Sequence, residues 1–239
     1  MKNRIFSVFR SKYFYILLLT ALTFSACKKE DVATTPTSGL MAFNLIPDST
    51  QPVVFVLDNN TLANASIGFN SFTGGYLDVF SGPRTVKLYE TNSDSALAST
   101  SYTFQPGMYY SAFAMGANGT YKNMIVADNL GSLPTSTGNA FVRYVNAIPD
   151  SSGQTITVSS KGSDVINTST SFGDVSDFTG IAPAAISIDV KNDSSISATK
   201  TLTLEKDKVY TFLLTGLPNA SDTTKAVRIK YIVNGTVTP

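Results

Sequence analysis

Cys27 is the one cysteine in a chain of 239 residues that contains no histidine. Without histidine there is no Ser-His-Asp or Cys-His machinery, and the commonest general base and the usual zinc ligand are both missing. A lone thiol also forms no intrachain disulfide. It can, however, accept a lipid. Residues 1–26 have the parts of a secretory signal: basic Lys2, Arg4, Arg10 and Lys12, an apolar run from Phe14 to Phe24, then small Ser25 and Ala26. Phe24-Ser25-Ala26-Cys27 has the form of a lipobox, in which small residues precede a cysteine that takes a diacylglycerol before cleavage in front of it. The apolar run is shorter than the roughly 20 residues that a spanning helix needs. The expectation is lipidation at Cys27, with the chain anchored to a membrane and not spanning it.

The other candidates for chemistry are acids and tyrosines. Glycoside hydrolysis needs only two suitably separated carboxyl groups, and of the three glutamates Glu30 falls near the N-terminus while Glu90 and Glu205 fall at or near strand ends. Asp174 and Asp177 are the closest acidic couple in a loop, where with backbone carbonyls they could hold a hard cation such as Ca²⁺; the competing reading is that they cap their own backbone. No Gly-x-Gly-x-x-Gly, P-loop or Gly-x-Ser-x-Gly pattern occurs. The reading is therefore of a non-enzyme that uses no cofactor. Tyr102, Tyr109 and Tyr121 are interface candidates, and adjacent Tyr109 and Tyr110 must face opposite sides of a strand. Four of the 18 basic residues lie in residues 1–26, which leaves 14 basic against 17 acidic groups. That balance, without a basic cluster, argues against a nucleic-acid partner.

Those residues must be positioned by strands. Val53–Leu57, Thr85–Tyr89, Met108–Met115, Phe141–Val145, Ile186–Val190, Val209–Leu214 and Val227–Val233 are apolar or alternating, and clusters of Gly, Asn, Asp, Ser and Pro separate them. The pattern predicts an all-β chain. It also repeats: Phe72, Pro83, Asn92, Ala98, Tyr110 and Gly116 recur as Phe172, Pro183, Asn192, Ala198, Tyr210 and Gly216. A period near 100 residues is a duplication of a whole domain. The expected layout is a signal at 1–26, a lipidated tether at 27–39, a β-sandwich at 40–131, a linker at 132–139 and a second β-sandwich at 140–239. Each half has the size of an immunoglobulin-like sandwich, and the picture is of two beads on a tether, each with its own core.

Three short patterns add resemblances. Arg143-Tyr144-Val145-Asn146-Ala147-Ile148-Pro149-Asp150 resembles the opening signature of a family of bacterial domains of unknown function, commonly found in tandem in secreted and surface proteins. Phe172 to Phe178 resembles its second signature, and Asn44-Leu45-Ile46-Pro47-Asp48 keeps the core of the first. The resemblance implies immunoglobulin-like sandwiches and no activity. Lys28-Lys29-Glu30-Asp31 resembles the surface-export signal of one large Gram-negative lineage, and is equally a solvated charge run. Asp48-Ser49-Thr50, Asp94-Ser95-Ala96 and Asp222-Thr223-Thr224 resemble that lineage's O-glycosylation acceptor, which makes Ser49, Ser95 and Thr223 candidates for glycan.

Together these features indicate an outer-membrane lipoprotein of a Gram-negative bacterium, displayed at the cell surface, that serves as a non-catalytic binding or structural module for a glycan or protein partner. The competing readings are a carboxylate-dependent polysaccharide hydrolase and a structural subunit of an outer-membrane assembly.

Overall fold

Alternation of side chains dictates the sheets. In Val53–Leu57, Val53, Phe55 and Leu57 are buried while Val54 and Val56 are partly open, and in Ala185–Lys191 the buried set is Ile186, Ile188 and Val190. One side of each such strand leaves water, and full burial of a side chain such as Phe55 or Leu88 stabilises by about 1.5–3 kcal/mol. The structure is a computed structural model that describes residues 35–150 and 152–237. The expected signal segment, Cys27, and the tether as far as residue 34 lie outside these residues. Among the described residues no helix is long and apolar enough to cross a membrane.

The first half holds β1 (Thr37–Asn44), β2 (Val53–Leu57), β3 (Asn60–Thr61), β4 (Ser71–Phe72), β5 (Leu77–Phe80), β6 (Gly82–Glu90), β7 (Ala96–Phe104), β8 (Tyr109–Ala117) and β9 (Thr120–Ala127). One sheet runs β4-β1-β8-β9, with β5 also on β1, and the other runs β3-β2-β6-β7. The second half holds β10 (Ala140–Asn146), β11 (Gln154–Ser160), β12 (Ser163–Thr170), β13 (Thr179–Ile181), β14 (Ala185–Lys191), β15 (Ser197–Thr203), β16 (Lys208–Thr215) and β17 (Arg228–Thr236). Its sheets run β13-β10-β16-β17 and β12-β11-β14-β15. In each half the first strand pairs in parallel with a strand made much later, β1 with β8 and β10 with β16. These are two tandem immunoglobulin-like β-sandwiches.

Each sandwich has its own core. Leu40, Phe55, Val86, Leu88, Phe104 and Tyr110 belong to the first, and Val142, Ile156, Ile188, Tyr210 and Phe212 to the second. A third apolar layer joins them. Met41, Phe43, Leu45, Phe113 and Met115, on the outer face of β1 and β8, pack with Val145, Ala147 and Leu213 from β10 and β16. These four central strands are therefore buried on both faces, like the strands of a covered parallel sheet. The two-bead reading accounts for the two cores and omits the layer between them; residues Pro36–Pro239 form one compact unit.

Contacts across the layer show that the sandwiches run side by side in the same sense. Asn234 meets Tyr76 near the end where the chain enters β1, while at the other end Lys230 Nζ donates to the Asn70 carbonyl. Two pairs of equivalent residues keep their jobs. The Tyr110 hydroxyl accepts the Gln105 N–H at 2.8 Å and the Tyr210 hydroxyl accepts the Glu205 N–H at 3.0 Å. Asn44 Oδ1 accepts the Ile46 N–H and Asn146 Oδ1 the Ile148 N–H, so each asparagine turns the chain out of its first strand.

Candidate functional site

Arg143 is a charged residue inside the apolar strand β10, and its side chain points into the layer between the sandwiches. Its Nη1 lies 2.7 Å from Asp128 Oδ1, with the side chains 2% and 0% exposed. The guanidinium also donates from Nε to Thr211 Oγ1 at 2.9 Å and from Nη2 to Ser111 Oγ at 2.8 Å. Ser111 donates onward to Asp128 Oδ2 at 2.8 Å. On the other side Thr211 donates to Asn234 Oδ1, Asn234 Nδ2 donates to the Tyr76 hydroxyl, and Tyr76 donates to Asp128 Oδ2. The result is a closed ring in which two relays and one direct ion pair connect the cation to the anion. The Phe178 ring lies 4.5 Å from the guanidinium carbon. Burial, and then the neighbouring Asp128 charge, raise the Tyr76 phenol well above its ordinary value.

The ring is a duplicated arrangement with its symmetry broken. Leu40 aligns with Tyr110 and Ala127 in the first sandwich as Val142 aligns with Tyr210 and Val233 in the second. One residue further on, Met41 corresponds to Arg143, Ser111 to Thr211 and Asp128 to Asn234. Tyr76 and Phe178 correspond in the same way, through the pairs Leu40 with Leu77 and Val142 with Thr179. Both halves offer a hydroxyl and an Asp or Asn, and only one supplies the cation. Arg143, Asp128, Ser111, Thr211 and Asn234 are buried and Tyr76 is half-buried, so the ring holds the halves together. Sequence alone assigns Arg143 no role and does not single out Asp128, Tyr76, Ser111, Thr211 or Asn234. The available signal was a lone charge within Phe141-Val142-Arg143-Tyr144-Val145.

Accessible concavity lies elsewhere. At the end where the chain enters β1, a groove of about 470 Å³ opens between the sheets of the first sandwich, with Leu57, Leu62 and Val79 in its wall and Asp58, Asp78, Phe80 and Arg84 at its rim. Arg84 is fully committed there: Nη1 pairs with Asp58 at 3.0 Å, while Nε and Nη2 donate to the Phe80 and Ser81 carbonyls. The Thr85 N–H and then Arg84 hold the Asp58 carboxyl below the usual aspartate value.

The residues singled out from sequence are dispersed. Asp174 Oδ2 accepts the Ser171 N–H at 2.7 Å, so it caps its own turn, and Asp177 is exposed. Among the described residues no three His, Cys, Asp or Glu side chains converge on a cation position. Tyr109 is 45% exposed and sits edge-on to Tyr76. Tyr102 is half-buried against Phe104 and Tyr110, and Tyr121 is half-buried on the first core; burial raises both phenols. Ser95 and Thr223 are exposed in loops, and Ser49 is half-buried, donating to Glu90 Oε1 at 2.9 Å. All three lie in loops at the end away from the entry to β1.

A sequence family described as a domain of unknown function, DUF4397, matches residues 38–152 and again residues 140–231. No curated protein matches the chain. Among solved structures, the tip fimbrial protein Mfa3 from Porphyromonas gingivalis, with a C-terminal truncation, is similar at 9% identity and a TM-score of 0.30, over 83% of this chain and 99% of that one. A structure described as alpha-glucan binding by a streptococcal virulence factor is similar at 11% identity and a TM-score of 0.26, over 80% of this chain and 96% of that one.

Proposed function

This chain belongs to the DUF4397 family, and on that footing we propose that it is a lipid-anchored envelope protein whose two sandwiches form a non-catalytic module for binding or holding a glycan or protein partner. The observation that carries the reading is the clamp. The Arg143–Asp128 ring and the apolar layer fix two sandwiches side by side, so loops from both project together at the end away from the chain's entry. Paired loops on a rigid scaffold are a common way to present a binding surface. The lipobox-like Phe24 to Cys27 supports anchoring in the outer membrane of a Gram-negative bacterium, and Lys28 to Asp31 supports display at its surface. We assign Arg143 to Asp150 as the family's opening signature, with Asn146 as its turn residue.

The test is binding of residues 36–239, which form a compact unit, to a panel of host and bacterial glycans and to solubilised envelope proteins. Saturable binding to one glycan class, or one stoichiometric protein partner, supports the module. Turnover of a polysaccharide that disappears on Asp174→Asn with Asp177→Asn would replace it with a hydrolase.

A further inference from the structure

We propose that the entry end of the first sandwich rests on the lipid surface that holds the anchor, with Phe80, Met108 and Tyr109 at the boundary between lipid and water. The proposal builds on the anchoring reading above. These three side chains are 58%, 37% and 45% exposed. They surround the first residues of β1: Thr37 registers with Phe80, the Gly39 N–H donates to the Met108 carbonyl, and Gly39 registers with Tyr109. Large apolar side chains gathered on one surface mark an interaction site more often than the same residues scattered singly. Among the described residues, the other large exposed apolar side chains, Val165, Tyr231 and Val233, sit on β12 and β17 of the second sandwich.

Covalent reach selects lipid as the partner. Only residues 28–36 separate Cys27 from Thr37, and at 3.3–3.6 Å per residue this leash spans at most about 35 Å. A lipidated Cys27 therefore holds this end at higher effective concentration beside the bilayer than the opposite loops, which lie the length of β1 further from the anchor. The chemistry suits that position. Tyr is at home in the headgroup zone and Phe below it, and the groove beside Phe80 has an apolar wall. Arg84 neutralises Asp58, which leaves the exposed Asp78 carboxylate and no surplus cation at the rim. The contact is thus apolar, made with zwitterionic lipid and insensitive to salt.

The chain has no tryptophan, so a single introduced indole reports its own surroundings. Lipidated full-length chain carrying Phe80→Trp, reconstituted in phosphatidylcholine vesicles, is expected to emit further to the blue and to lose intensity with brominated phosphatidylcholine. Val165→Trp in the same vesicles should do neither. Flotation of the wild-type chain and its loss on Cys27→Ser test the anchor separately. A chain that fails to float overturns the anchoring reading and the docking with it. A chain that floats with its Phe80→Trp indole in water, or with both indoles quenched alike, overturns the docking alone.

Discussion

The guanidinium of Arg143 and the carboxylate of Asp128 are 2.7 Å apart, almost wholly withdrawn from water, and belong to different sandwiches. Burying two charges costs several kcal/mol per ion, and only a fully bonded pair offsets it. The ring's neighbours supply bonds to Arg143 Nε and Nη2 and to Asp128 Oδ2, and the ion pair itself joins Nη1 to Oδ1. Breaking one side leaves a buried charge unmatched, so Arg143→Ala or Asp128→Asn should each destabilise the protein by about 3–5 kcal/mol in urea titration. The pair Arg143→Met with Asp128→Asn gives each position the residue found at its counterpart in the other sandwich, and is compared with Arg143→Met and Asp128→Asn made singly. It should cost clearly less than the two single losses added together, and an additive result would mean that the residues act independently.

Tyr76 provides a test on the alkaline side. Its folded-state pKa lies above the ordinary phenol value of 10.0, because burial and Asp128 both oppose a second negative charge. The stabilisation linked to this proton is fully present below pH 10 and is lost above it, as the unfolded phenol ionises while the folded one does not. Chemical denaturation across pH 8–12 should show stability falling above pH 10, and Tyr76→Phe should flatten that fall.

Tyr110 and Tyr210 make the duplication quantitative. Each hydroxyl accepts one backbone N–H from five residues upstream. Tyr110→Phe and Tyr210→Phe should each remove about 1 kcal/mol of stability. Unequal losses, measured by thermal melting, would show that the two hydrogen bonds have diverged in energy while keeping their geometry.

Gly116 and Gly216 are also equivalent, with φ of +127° and +109°, and a Cβ at either would strike backbone, of β9 at Thr120 or of the segment just before β17 at Ala226. Alanine at either position should cost about 1–3 kcal/mol or more, from strained backbone and the collision together. Gly119 has φ of +78° but open space around it, so Gly119→Ala should cost less. Equal melting temperatures for Gly116→Ala and Gly119→Ala would remove the steric account.

The all-β architecture and the duplication were legible because buried positions alternate in strands such as β2 and β14, and because Tyr110 and Gly116 return at a fixed interval. Strands β7 and β12 were not legible. They lie at sheet edges and each fully buries only its last residue, Phe104 or Thr170, so polar runs such as Ser163 to Thr170 carry little apolar alternation. The layer between the sandwiches was hidden for the opposite reason. Met41 and Phe43 are as apolar as Leu40 and Ala42, and no periodicity says which face meets a neighbour. The clamp combines residues spread from Tyr76 to Asn234, and only the charge of Arg143 was conspicuous along the chain.

The parallel pairing of β1 with β8 has a consequence in time. Leu40 finds Tyr110, its partner in the first sheet, only after the whole intervening stretch has been synthesised, and Val142 waits in the same way for Tyr210. Such high contact order places this chain among slow folders. Asp128 and Arg143, by contrast, flank the segment that connects the halves. Their ion pair needs only β10 to emerge, whereas the relay through Thr211 and Asn234 that completes the ring must wait for β16 and β17.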